Sequence, residues 1–248
     1  MTRRKLHVIF RTCGSHVVPR PRPPFFSKRL GFCSLLTAIH RHGDCDLTVV
    51  QDGQIDDAVA VNIPTWASVQ YTTRRGNVAA FETSLALASN DLDRCVYFSE
   101  DDYLYKPDAL NHFVECITTT AADYATLYDH PARYRVPTDD VLVAERPFVT
   151  RSHHWHRVES TCLTFGCHGS TVTADAQRIL TLLGGHRYPE DRSMWRSLQQ
   201  LVPTAAVGPP RVLVGPIPSL ACHADLRDGL SPTVDWSALA ADLEAVWG

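Results

Sequence analysis

Arg94-Cys95-Val96-Tyr97-Phe98-Ser99-Glu100-Asp101-Asp102-Tyr103 is the stretch that decides the fold: mostly apolar residues rich in β-formers run straight into three consecutive carboxylates. Residues 95–99 are too few and too continuously apolar for an amphipathic helix. They read as a strand buried on both faces, as in a parallel sheet. Beyond them, Leu110, Phe113, Val114 and Ile117 fall at i, i+3, i+4 and i+7, one face of a helix over 107–120 with Pro107 in its first turn. The acids therefore stand where a central strand ends and the chain turns toward a helix, the edge at which open α/β sheets bind ligands. On an extended backbone Glu100 and Asp102 share one side and Asp101 takes the other. Hard oxygen ligands at such a mouth suit Mg²⁺ or Mn²⁺ and leave positions for substrate phosphates. A solvated acidic turn ahead of a helix is the plain alternative.

Upstream, residues 6–10 read as a first buried strand ending at Arg11-Thr12. The loop after it interleaves Pro19, Pro21, Pro23 and Pro24 with Arg20 and Arg22. It is stiff and basic, either a surface connection or a lip over an anion. Phe26, Leu30, Cys33, Leu36 and Ile39 mark a helix stopped at Gly43. A second strand, 47–50, ends at Gln51-Asp52-Gly53 and completes a βαβ unit that puts Asp52 at the same edge as the acids. A short third strand, 68–71, leads to Arg74-Arg75-Gly76-Asn77 and a helix carrying Val78, Phe81, Leu85 and Ala88. Glycine lets the backbone approach a ligand, the helix N-terminus favours anions, and two arginines fit a diphosphate.

Downstream, the pattern predicts a strand at 124–128, then loops and a hairpin over 129–157, with Pro131, Pro137 and Pro147 and alternation at Val141 and Val143. In His153-His154-Trp155-His156 adjacent histidines on a strand would face opposite sides, which argues against a metal cluster. Residues 161–167 read as a buried strand, and Thr173 as the cap of a helix stopped at Gly184-Gly185. Pro189-Glu190-Asp191 opens a helix carrying Met194, Trp195, Leu198 and Leu201, where acids in a first turn also suit the helix dipole. Short β segments at 211–214 and 218–222 precede His223, and 235–247 closes the chain as an amphipathic helix.

The 248 residues, 44% hydrophobic and 21% charged, fit one large α/β domain, with no internal repeat or linker. A net charge of −3 argues against bulk binding to nucleic acid or an anionic membrane. The eight cysteines are scattered with no CxxC pair, which reads as reduced thiols in a cytoplasmic protein. No apolar run approaches the roughly 20 residues that span a bilayer, and residues 6–10 are too few for a signal-peptide core.

Tyr97-Phe98-Ser99-Glu100-Asp101-Asp102 resembles the acidic motif of glycosyltransferases with the GT-A fold. The resemblance covers most of the chain in order. It implies one α/β domain over 1–248, a three-layer sandwich on a mostly parallel sheet, with a nucleotide-sugar half at 1–106 and an acceptor half at 107–248. It implies Asp102 as ligand of Mn²⁺ or Mg²⁺ on the donor's diphosphate, with Glu100 and Asp101 supporting and His223 as a further metal ligand. Asp52 would meet the nucleotide base; Arg74, Arg75, Gly76 and Asn77 would meet the diphosphate; Arg11 would belong to the same donor site. Glu190-Asp191 resembles the family's late acidic motif, in which the aspartate is the general base of an inverting transfer. Were Asp191 only a helix-cap acid, retention would stay open. Trp155 is the candidate to stack on an acceptor sugar. The first strand ends in Arg11-Thr12 where the commonest subfamily has a Tyr-Asn-type turn. The implied reaction moves a sugar from a nucleoside-diphosphate sugar to a hydroxyl of a small soluble acceptor. A sugar-nucleotide nucleotidyltransferase, a non-catalytic nucleotide- or carbohydrate-binding protein, and a metalloenzyme built on His153–His156 are the competing readings.

Overall fold

The structure, a computed structural model, describes residues 5–14, 20–134, 146–183, 190–227 and 229–248. Pro19, Pro137, Val141, Val143, Gly184, Gly185 and Pro189 lie outside the described residues. In order the elements are β1 (Leu6–Cys13), α1 (Lys28–His42), β2 (Cys45–Asp52), α2 (Asp57–Ala60), β3 (Ser68–Tyr71), α3 (Asn77–Ala88), β4 (Cys95–Glu100), β5 (Tyr103–Tyr105) and α4 (Ala109–Thr119). Then come β6 (Tyr124–Ala125), β7 (Phe148–Val149), β8 (His154–Arg157), β9 (Phe165–His168), α5 (Gly169–Leu183), α6 (Asp191–Leu198), β10 (Leu213–Ile217), β11 (Ala221–His223) and α7 (Trp236–Trp247).

Nine strands form one sheet in the order β3-β2-β1-β4-β9-β6-β10-β8-β7. Its first four strands run parallel, and β9, β8 and β7 bring antiparallel pairing into the second half. Most of the paired length is parallel. Alternation along the central strands sends Val8, Phe10 and Tyr97 into one core with Phe32, Leu36 and Phe113 of α1 and α4. It sends Ile9, Val96 and Phe98 into the other, with Phe81, Ile179 and Trp195 of α3, α5 and α6. Helices thus cover both faces, which is why β4 reads as a continuous apolar run. Ser27 caps α1 by accepting from Leu30 N at 3.0 Å, and Gly43, at φ +80°, ends it.

Three expectations change. The chain does not pass from the acids directly into a helix; β5 intervenes and pairs antiparallel with β11 in a separate small sheet, His223 opposite Tyr103. The strand read at 161–167 begins only at Phe165, because Cys162 and Leu163 stand in left-handed backbone at φ 47° and 58°. Helix α5 starts at Gly169, not at Thr173, whose hydroxyl instead donates to Gly169 O within the helix. A side chain at Gly169 would overlap Asp91 O, so close backbone approach sets that start. The expected hairpin is present as β7 and β8.

Candidate functional site at the acidic edge

Because β1 and β4 are neighbours in register, Arg11 beside Glu100, their carboxyl ends form one ledge. Each of the three acids meets a different cation there. Glu100 Oε1 lies 3.1 Å from an Arg11 guanidinium nitrogen. Asp101 Oδ2 accepts from Lys28 Nζ at 2.7 Å, Thr12 Oγ1 at 2.8 Å and the Cys13 N–H at 3.2 Å. Asp102 Oδ2 meets His223 Nε2 at 3.1 Å and accepts from Arg22 at 3.1 Å, with Arg20 at 3.7 Å. The pairing of β5 with β11 brings His223 back to Asp102 across 121 positions of sequence.

Burial decides how these groups ionise. It pushes the Glu100 carboxyl up to about 7 against the opposing pull of Arg11. Burial works to raise Asp102 too, but His223 and Arg22 hold it below the usual carboxylate range. Burial works to lower His223, and Asp102 holds it well above the usual histidine range. Asp102 is 7% exposed and His223 5%. Asp102 Oδ1 is buried with no hydrogen-bond partner among the described residues, an orphan of the kind that a ligand satisfies.

The second predicted cluster also assembles, by a route not read from sequence. Asp52 Oδ2 accepts from the Gly76 N–H at 2.8 Å, tying the end of β2 to the start of α3. A side chain at Gly53 would run into the Arg75 guanidinium, so Arg75 lies over that turn. Gly76, at φ +115°, has open space where a Cβ would stand. Asn77 Nδ2 lies 3.5 Å from Glu100 Oε1, which joins this cluster to the acids. Arg74 is paired with Glu82 on α3.

Two assignments are corrected. Trp155 is 0% exposed, packed in the core between sheet and helices with Nε1 donating to Thr150 Oγ1 at 3.3 Å. It offers no face to a sugar. Arg11 lies beneath the ledge, 4% exposed, with its guanidinium over the Phe81 ring at 4.8 Å and donating to Leu163 O at 2.8 Å. It is an interior counter-ion for Glu100 and does not face a donor. Glu190 is exposed at the start of α6. Both oxygens of Asp191 are engaged: Oδ2 by Ser160 Oγ (2.5 Å), Thr161 N (2.7 Å) and Cys162 N (3.0 Å), Oδ1 by Thr161 Oγ1 (2.7 Å), Leu163 N (3.1 Å) and Trp195 Nε1 (3.0 Å).

Lys28 and Cys162 were not singled out from sequence, whereas Arg20 and Arg22 were read there as part of a surface connection or a lip over an anion. Lys28 opens α1 and reaches the ledge from there. Arg20 and Arg22 belong to the basic proline loop, whose alternation was the available signal. That loop lies across Asp102, with Arg22 also donating to Ala224 O and Pro21 O accepting from Leu226 N. The Cys162 thiol neighbours His223, and burial raises it. Among the described residues no group of three or more His, Cys, Asp or Glu side chains is disposed to hold a metal ion, and no helix is long and apolar enough to cross a membrane. None of the eight cysteines is in a disulfide.

No protein-family model and no curated protein matches this sequence. Solved structures do. Residues 1–349 of S. aureus TarS match 85% of this chain and 57% of their own length at 13% identity, with a TM-score of 0.51. CMP:2-keto-3-deoxy-manno-octonic acid synthetase, complexed with CTP, matches over 98% of both chains at 12% identity, with a TM-score of 0.50. The galactosyltransferase LgtC, solved with donor and acceptor sugar analogues, matches 77% of this chain and 70% of its own at 9% identity, with a TM-score of 0.44. The order of elements, the helices on both faces of a mostly parallel sheet and the likenesses to TarS and the synthetase agree: the chain has a GT-A-like α/β fold.

Proposed function

We propose that this protein is a metal-dependent glycosyltransferase that moves a sugar from a nucleoside-diphosphate sugar to a hydroxyl of a small acceptor molecule. Asp102 carries the reading. It ends the acidic run at the ligand-binding edge of the sheet, stands against His223, and keeps one buried oxygen uncommitted. Two protein ligands are enough for Mg²⁺ or Mn²⁺, because substrate phosphates and water complete the shell. Asp102 and His223 would hold the cation, His223 only as its neutral imidazole, a donor that suits Mn²⁺ better than Mg²⁺. When bound, it would neutralise charge on a departing diphosphate. The chain's own cations serve the same end: Arg20 and Arg22 overhang Asp102, and Arg75 lies over the turn at Gly53. A diphosphate there would meet guanidinium groups built for its geometry.

The second reading is a sugar-nucleotide nucleotidyltransferase, favoured by the end-to-end match to the synthetase. It needs a glycine-rich phosphate cradle directly after β1. Gly14 stands there, but a side chain at Gly14 would overlap Gln54 O, so this glycine serves a backbone packing contact.

Calorimetric titration of UDP, GDP and dTDP, each with Mn²⁺, Mg²⁺ or EDTA, tests the proposal on the natural protein and on Asp102→Ala. The expected outcome is metal-dependent binding of one nucleotide, weakened at least tenfold by the substitution. Binding that ignores both metal and substitution, or no binding at all, refutes the site. Pyrophosphate release from CTP or UTP in place of sugar transfer would select the second reading.

A further inference from the structure

We propose that Asp191 is a positioning residue: it pins the left-handed turn at 161–163 beneath the Asp102–His223 pair and takes no proton from the acceptor. This rests on the site assignment above. A carboxylate has about four lone-pair directions, and Asp191 already receives six donors. Three of them are the consecutive backbone N–H groups of Thr161, Cys162 and Leu163. Successive N–H groups converge this way when they enclose an anion. Here the anion is supplied by the protein, from the first turn of α6.

The turn needs such an anchor. Cys162 and Leu163 adopt left-handed backbone that non-glycine residues avoid, so the conformation persists only where its surroundings impose it. The turn in turn supports the ledge at three points. Thr161 O accepts from Tyr103 Oη at 3.1 Å, next in sequence to Asp102. Leu163 O accepts from Arg11, the counter-ion of Glu100. The Cys162 thiol sits by His223. Asp191 therefore acts on the acids only through this turn. A general base must instead reach the acceptor's proton with a vacant lone pair.

Asp191→Asn separates the two roles. The amide puts a donor where Asp191 now accepts, so two or three N–H and O–H groups lose their acceptor. If Asp191 positions the turn, the folded variant loses tenfold or more in affinity for the nucleotide·Mn²⁺ complex. Its Cys162, mapped by peptide mass after iodoacetamide treatment, alkylates at least tenfold faster than in the natural protein. Adding Cys162→Gly, which relieves the left-handed strain, restores part of the nucleotide affinity. A general base predicts the opposite: unchanged affinity, unchanged thiol protection, abolished transfer and no rescue. That result overturns the proposal. If Asp191→Asn does not fold, Trp195→Phe removes one donor to Asp191 Oδ1 and keeps the ring; several-fold faster Cys162 alkylation supports the anchor, and unchanged protection overturns it. Should the natural protein bind no nucleotide, the glycosyltransferase reading falls, while the alkylation rates still decide the role of Asp191.

Discussion

Lys28→Met tests the premise that the acidic edge is neutralised residue by residue. Lys28 Nζ lies 2.7 Å from Asp101 Oδ2, and the two side chains are only 9% and 14% exposed. At that distance the attraction is about 6 kcal/mol for an effective dielectric near 20. Most of it is cancelled by the cost of taking both ions out of water, so the pair's net worth is small. Removing one partner is different. Methionine fills the space of the lysine stem, but the Asp101 side chain is left without its cation, with Thr12 Oγ1 and the Cys13 N–H as its remaining protein donors. The expected loss is about 3–5 kcal/mol in equilibrium urea unfolding. Asp101→Asn added to Lys28→Met removes the stranded charge and keeps an acceptor for both remaining donors. The double variant should recover to within about 1 kcal/mol of the natural protein. A single variant that loses under about 1 kcal/mol, or a double variant no better than the single, would refute the reasoning.

Acid should loosen the β7–β8 hairpin. Burial, then the neighbouring His112 and Lys106, lower His153 to about 4 against the opposing Asp108 and Glu115. Its folded value lies below its unfolded one, so the contribution is full above about 6.5 and lost as pH falls toward 4. After discounting for partial solvent access this is about 1–2 kcal/mol, and His153→Asn should flatten the thermal-melting profile across that window. Gly166→Ala places a methyl against the Phe113 ring and Val96 O, and should cost about 2–3 kcal/mol in urea unfolding. An alanine variant as stable as the natural protein would show that β9 and α4 do not meet there.

How much of this was legible follows from where each residue's partners lie. Strands β1, β2 and β4 are covered on both faces, so their apolar runs carry the signal themselves. Helix α1 announces its ends with Ser27 and Gly43. The turn at 161–163 hid behind a strand-like Thr-Cys-Leu-Thr-Phe because its backbone is dictated by Asp191, about 30 positions later. Strand β5 is three residues long and exists through pairing with β11, more than a hundred residues on. Trp155 was misplaced because an amphipathic aromatic serves a binding face or a core equally well, and only its neighbours in the sheet decide. Arg11 lies two residues before the carboxyl end of β1, but its alternation points it under the sheet toward Phe81.

Three adjacent carboxylates at a sheet edge pose one electrostatic problem, and the chain answers with three separate elements. The turn at Asp101-Asp102, between β4 and β5, sends the acids apart. Arg11 then meets Glu100 from the interior, Lys28 meets Asp101 from α1, and His223 with Arg22 meets Asp102 from the small sheet and the proline loop. The first two pairings leave side chains that are 19% and 14% exposed, against 10% for Asp102. Asp102 alone is held by partners that belong to loops and edges, and it keeps an oxygen in reserve. That is why Asp102 is the substitution on which the functional reading turns, and why Glu100 and Asp101 weigh first on the integrity of the edge beneath it.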